Sequence, residues 1–134
     1  GSGKSSLALA GLPHFLHRYY RYPKVGVLYF EGSNFNGRRT SKLLKAIGGI
    51  NTDTDDSAIL VILDEASSWP GIETSTGIQD LYRRVGQKVN EGRTTEAVVH
   101  LALVGTEMSR ATQRVESNLE TIKKIRVISW SMEQ

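Results

Sequence analysis

"AILVILDEA", residues 58–66, decides the fold: six consecutive apolar residues, Ala58 to Leu63, run directly into two adjacent carboxylates. A short run with no polar alternation has no face for water, and bounded by polar stretches it reads as a strand buried on both sides. Such strands belong to parallel sheets covered by helices, so the flanking sequence should alternate helix and strand.

It does so in both directions. Upstream, "KVGVLYFEG" (residues 24–32) is a second apolar, β-branched and aromatic run closing on glycine, and "RRTSKLLKAIGG" (38–49) is a helix stopped by Gly48 and Gly49. Before these, Leu7, Leu9, Leu12, Phe15 and Leu16 fall mostly at helical spacing from Ser5 to about Tyr20. Pro13 lies inside that stretch, and its ring and missing N–H predict a kink or an early end there. Downstream, the loop "SSWPGIETSTG" leads to a helix over residues 78–89, with Leu81, Tyr82, Val85 and Val89 on one side. "NEGRTTE" turns the chain into a third strand, "AVVHLALVGTE" (97–107). A helix or helical turn, "MSRATQRVESNLETI", and a last strand, "KIRVISW", complete the order. The polar, acidic "NTDTDDS" (51–57) is a loop. The pattern predicts one α/β domain, a three-layer sandwich whose mostly parallel strands are joined by right-handed crossovers.

Composition narrows the chemistry. A chain of 134 residues with 39% hydrophobic content is large enough for one domain with a real core. It has no cysteine, which removes disulfides and thiolate metal sites and fits a reducing, intracellular compartment, cytoplasmic or nuclear. No apolar run approaches the roughly 20 residues of a membrane span. The net charge of +3 permits nucleic-acid contact without arguing for it. The densest basic and aromatic cluster, "HRYYRYPK" (17–24), is read first as the polar end of a helix and a proline-marked loop, ahead of an RNA or DNA patch.

The opening residues, "GSGKSS", match the end of the phosphate-loop pattern G-x-x-x-x-G-K-[ST] through Gly3, Lys4 and Ser5. The pattern's first glycine would lie upstream of Gly1, and the strand that feeds such a loop would precede it too; the chain is expected to begin inside the motif, with its first strand missing. By itself the stretch equally fits a flexible turn or a cloning remnant. On an α/β scaffold it gains meaning, because Lys4 and Ser5 would open a helix whose free N–H groups and positive dipole end favour phosphate. Gly1, Ser2, Gly3, Lys4, Ser5 and Ser6 are the candidate phosphate-binding residues. Asp64, at the carboxyl end of a buried parallel strand, points to the crevice where open α/β sheets bind ligands. Asp64 would hold Mg²⁺, directly or through water, alongside Ser5. Glu65 would position and polarise an attacking water, a role hydrolysis keeps separate from phosphate neutralisation. The plainer role for the Asp64–Glu65 pair is as charges at a helix start.

With both halves in order, the chain resembles a P-loop NTPase of the additional-strand, catalytic-glutamate division, and within it an AAA+ ATPase core. "GSGKSS" is similar to the end of a Walker A motif and "ILVILDEA" to a Walker B motif, with one strand, "VGVLYFE", between them. The resemblance implies ATP as the nucleotide, Mg²⁺ as cofactor, Lys4 and Glu65 as catalytic residues, and action as a homo- or hetero-oligomer. It also implies a polar sensor after the next strand, where Thr106 stands; a β-branched residue closing a strand is the plainer role. Arg110 and Arg114 are the candidates for an arginine finger, with exposed helical arginine as the alternative. The stretch "RVESNLETIKKIRVISWSMEQ" loosely resembles that of origin-recognition and related initiator ATPases leading toward a helical lid, expected beyond residue 134. Asn118 stands where that pattern often places an arginine.

Other polar residues have plainer roles. His14, His17 and His100 show no ligand spacing, and His100, inside an apolar strand, reads as a packed histidine. Trp69 covers part of the site or anchors a loop. Glu31 and Asn34, at the end of the second apolar strand, share the sheet edge with Asp64. The first expectation is an Mg²⁺-dependent ATPase that moves an attached lid or partner. The alternatives are an ATP-holding switch with little turnover, a fragment without activity, and, more remotely, a phosphotransferase.

Overall fold

The structure, a computed structural model, describes residues 2–35, 39–50, 56–66, 69–72, 74–105 and 125–131; for 2–10, 39, 75, 105 and 125–131 it describes the backbone alone. The elements in chain order are α1 (Ser2–Tyr19), β1 (Val25–Glu31), α2 (Arg39–Gly48), β2 (Ala58–Asp64), α3 (Ser75–Asn90), β3 (Val98–Gly105) and β4 (Ile125–Ser131). A single turn of 3-10 helix, Gly32–Asn34, follows β1.

The strands form one four-stranded sheet in the order β1-β2-β3-β4, and every neighbouring pair is parallel. The register aligns strand starts and ends: Val25 pairs with Ala58 and Ala58 with Val98, while Glu31 pairs with Asp64. All the carboxyl ends therefore share one edge.

All seven residues of β2 are buried, as a double-faced apolar run requires. Alternation along it divides the core in two. Ile59, Val61 and Leu63 join Leu43, Ile47, Ile78, Tyr82 and Val85 in a cluster under α2 and α3. Leu60 and Ile62 join Ala102, Val104 and Leu16 in a second cluster, with Leu12, Tyr22, Val25 and Tyr29 against it, under α1. Two successive right-handed crossovers that advance across a sheet in one direction put both helices on the same face. That is where α2 and α3 lie, and α1 covers the opposite face. The α/β class and the helix-covered parallel sheet are those read from the sequence.

The helices differ from expectation in two places. The first ends at Tyr19, close to the end near Tyr20 that the apolar spacing gives, so of the two outcomes expected of Pro13, a kink or an early end, the early end does not occur. Leu12 and Leu16 sit on either side of the proline in sequence and both pack on the sheet, and that burial offsets the hydrogen bond the ring removes. The third helix starts at Ser75 rather than Ile78, because Thr74 is its N-cap: the Thr74 hydroxyl oxygen accepts from the Gly77 N–H at 3.0 Å. No helix among the described residues is long and apolar enough to cross a membrane. The expected helix over residues 108–122 and most of the 51–57 loop lie outside the described residues.

Candidate functional site

The site is built at the carboxyl edge of the sheet, where β2 ends. Asp64 continues the Leu60, Ile62 alternation and so sits on the α1 face, only 2% exposed. A buried carboxylate needs hydrogen-bond donors, and two are in place. The Tyr29 hydroxyl, from β1, donates to Asp64 Oδ2 at 2.5 Å, and the Glu65 N–H donates to Oδ1 at 2.8 Å. Tyr29 pairs with Ile62 in the register, so its ring lies on the same face and its hydroxyl reaches the strand end. A carboxylate oxygen can accept more than one bond, so these donors do not close Asp64 to a cation.

Glu65 breaks the strand. Its φ is +52°, in the left-handed region that costs a side-chain-bearing residue about 1–2 kcal/mol, and its side chain is exposed. That turn takes the chain out of the sheet directly after Asp64 and sends the second carboxylate toward solvent at the edge. Gly32 makes room for it. A Cβ on Gly32 would stand 2.8 Å from the carbonyl oxygens of both Asp64 and Glu65, so only glycine allows the turn after β1 to lie against the turn after β2.

Downstream the loop is held by its own packing. Trp69 is 1% exposed in the α2–α3 core, its ring 5.9 Å from that of Phe35, which lies 6.0 Å from Phe30. Of the two roles open to Trp69, the structure shows the anchor. Gly71, at φ +84°, lies so close to Gly77 that a Cβ on the latter would meet the Gly71 carbonyl oxygen at 2.0 Å. The backbone at Gly71 is thereby clamped onto the first turn of α3.

Apart from Gly1, the residues read from the sequence as phosphate-binding lie in α1. Its 18 residues, at about 1.5 Å each, make a rod of roughly 27 Å, a little longer than a seven-residue strand. It packs on β1, β2 and β3, and a five-residue link joins its end to the start of β1. The helix therefore runs against the strand direction, which directs its first turn, Ser2 to Ser5, toward the carboxyl end of the sheet. The backbone of Gly3, Lys4, Ser5 and Ser6 is helical. Gly1, Thr106, Arg110, Arg114 and Asn118 lie outside the described residues.

Of the remaining candidates, Glu31 is the register partner of Asp64 and accepts from the Ser33 hydroxyl at 3.4 Å, and exposed Asn34 lies three residues on. His100 is fully buried with Nε2 3.1 Å from the Tyr22 hydroxyl, and His17 Nδ1 donates to the Tyr22 carbonyl at 2.7 Å. Both act as packed or bridging histidines, and among the described residues no group of three or more His, Asp or Glu side chains could hold a metal. Two site residues escape sequence reasoning, Tyr29 and Gly32. Both depend on the register of β1 against β2, which only the folded sheet sets.

The chain matches no protein family, no curated protein and no solved structure.

Proposed function

We propose that this chain is the core of a P-loop ATPase of the AAA+ type, binding ATP with Mg²⁺ at the carboxyl edge of its sheet and hydrolysing it to move a larger assembly. One observation carries the reading: a buried, doubly hydrogen-bonded Asp64 closes an inner parallel strand and is followed at once by an exposed Glu65 in a left-handed turn. A carboxylate kept still and a carboxylate turned outward are the pair that nucleotide hydrolysis separates into metal holding and water positioning.

The donor set fits magnesium, which takes hard oxygen ligands and typically one or two protein groups beside phosphates and waters. Asp64, whose oxygens can each accept more than one partner, and the Ser5 hydroxyl would hold it, and the bound ion would supply positive charge against the phosphates. The chain's own residues do the rest. The free N–H groups of the first turn of α1 receive phosphate oxygens, and the Lys4 ammonium neutralises the outer phosphates. Tyr29 fixes the Asp64 carboxylate. Glu65 accepts a hydrogen bond from the attacking water and orients it along the line of displacement.

The test measures ATP binding and Mg²⁺-dependent phosphate release by the full-length protein beside Lys4→Ala and Glu65→Gln. Loss of turnover in both, with binding kept in Glu65→Gln, is the expected result. Binding without turnover in the unmutated protein makes it a nucleotide switch, and absence of binding removes the nucleotide reading altogether.

A further inference from the structure

At the end of the sheet opposite Asp64 lies a feature that nucleotide chemistry does not use. The last turns of α1 and the link to β1 carry a row of rings. Phe15 and Tyr19 stack with centroids 5.0 Å apart and planes 13° from parallel; Tyr19 meets Tyr20 edge-on at 5.0 Å; Tyr20 stacks on Tyr22 at 5.8 Å and 19°. These rings are not hidden. Phe15 is 44% exposed, Tyr19 69% and Tyr20 38%.

The row is also held in place. Tyr20 and Tyr22 flank the buried His100 ring at 5.3 and 5.4 Å, and Tyr22 is bonded to that ring through its hydroxyl. Between them exposed Arg21 takes a φ of +58°, in the left-handed region, where the chain turns between the two stacked rings. Arg18 and Arg21 are exposed, and neither forms an ion pair with a described residue. From residue 1 to residue 30 the sequence contains no Asp or Glu at all. Cations near a helix C-terminus serve the helix dipole, which accounts for His17 and Arg18. It does not account for three solvent-facing rings.

We propose that this surface binds single-stranded nucleic acid. Guanidinium groups without nearby carboxylates in the same segment select a polyanion, and solvent-facing stacked rings select one with planar apolar faces to lay on them. A single strand offers both; a duplex keeps its base faces inside the stack. Phe15 and Tyr19 are the platform for bases, and Arg18 and Arg21 take the phosphates. The site stands independently of the nucleotide reading at the other edge.

Fluorescence anisotropy of labelled dT and rU oligomers of about 12 nucleotides, titrated with the full-length protein over a range of salt, tests it. Binding to either oligomer is expected, weakening as salt rises, with the two oligomers separating DNA from RNA preference. Arg18→Ala with Arg21→Ala should reduce the slope of log affinity against log salt by about 1.4, near 0.7 for each phosphate no longer neutralised. Tyr19→Ala should weaken binding by roughly fivefold to a hundredfold, and Tyr19→Phe should restore it. Tyr19 meets other rings and is mostly exposed, so a thermal melt should find Tyr19→Ala folded. No binding, a duplex bound as tightly as the single strand, or unchanged affinity in Tyr19→Ala each overturns the proposal. An acidic peptide competing as well as the oligomer would reassign the surface to a protein partner.

Discussion

Asp64 and the hydroxyl that reaches it from the neighbouring strand form the tightest polar contact of the candidate site. A hydrogen bond to a buried charge contributes about 1.5–3 kcal/mol, and removing the donor leaves the acceptor under-served. Tyr29→Phe should therefore lower stability by about that much in urea unfolding, and raise the Mg²⁺ concentration needed for half-maximal turnover, because the carboxylate loses the group that orients it. At the next residue the sign reverses. Glu65 is exposed and holds a conformation that favours glycine, so Glu65→Gly should leave the melting temperature unchanged or raise it by a few degrees while abolishing hydrolysis. A fall in both would mean that the Glu65 side chain is structural. The two carboxylates were legible in the sequence because they close an apolar run. Tyr29 was not, since the bond that gives it a role crosses 35 positions and exists only once β1 and β2 are in register.

At the level of elements, the strands were read nearly to their ends, and the errors lie where local chemistry competes with packing. Pro13 is the clearest case: propensity argues for a stop, yet the apolar stripe carried by Leu12 and Leu16 keeps the helix whole on the sheet. Substituting Pro13→Ala restores the N–H and removes the ring's clash with the preceding turn. The expected outcome is a gain of about 1–3 kcal/mol, checked by denaturant unfolding. A loss would show that the proline sets a bend on which the α1 contacts depend. The start of α3 was missed for the opposite reason. "ETSTG" has the composition of a loop, but the second of its residues, Thr74, caps the helix, and capping geometry appears only when Gly77 presents its N–H.

Across the whole molecule, the sheet separates two cores, one on each face, and β1, β2 and β3 each give alternate residues to both. Ile59 belongs to the one under α2 and α3, Ile62 to the one under α1. Ile59→Val and Ile62→Val should each cost about 0.5–1.5 kcal/mol, and the double variant should equal their sum to within about 0.5 kcal/mol, since the cavities open on opposite faces. Strong coupling in urea unfolding would mean that strain passes through the sheet. The layered architecture was legible because burial on two faces leaves no polar alternation to mistake. The position of the turns at its upper edge was not, because it is decided by one close approach of backbone to backbone. That approach joins two sites 33 positions apart, Gly32 and Glu65, into a single heritable unit. A side chain at position 32 can be accepted only by a lineage that has already changed the course of the chain at 65, and a lineage that straightens 65 has lost what kept 32 a glycine. In a library of random variants selected for function, the two positions should be kept or lost together.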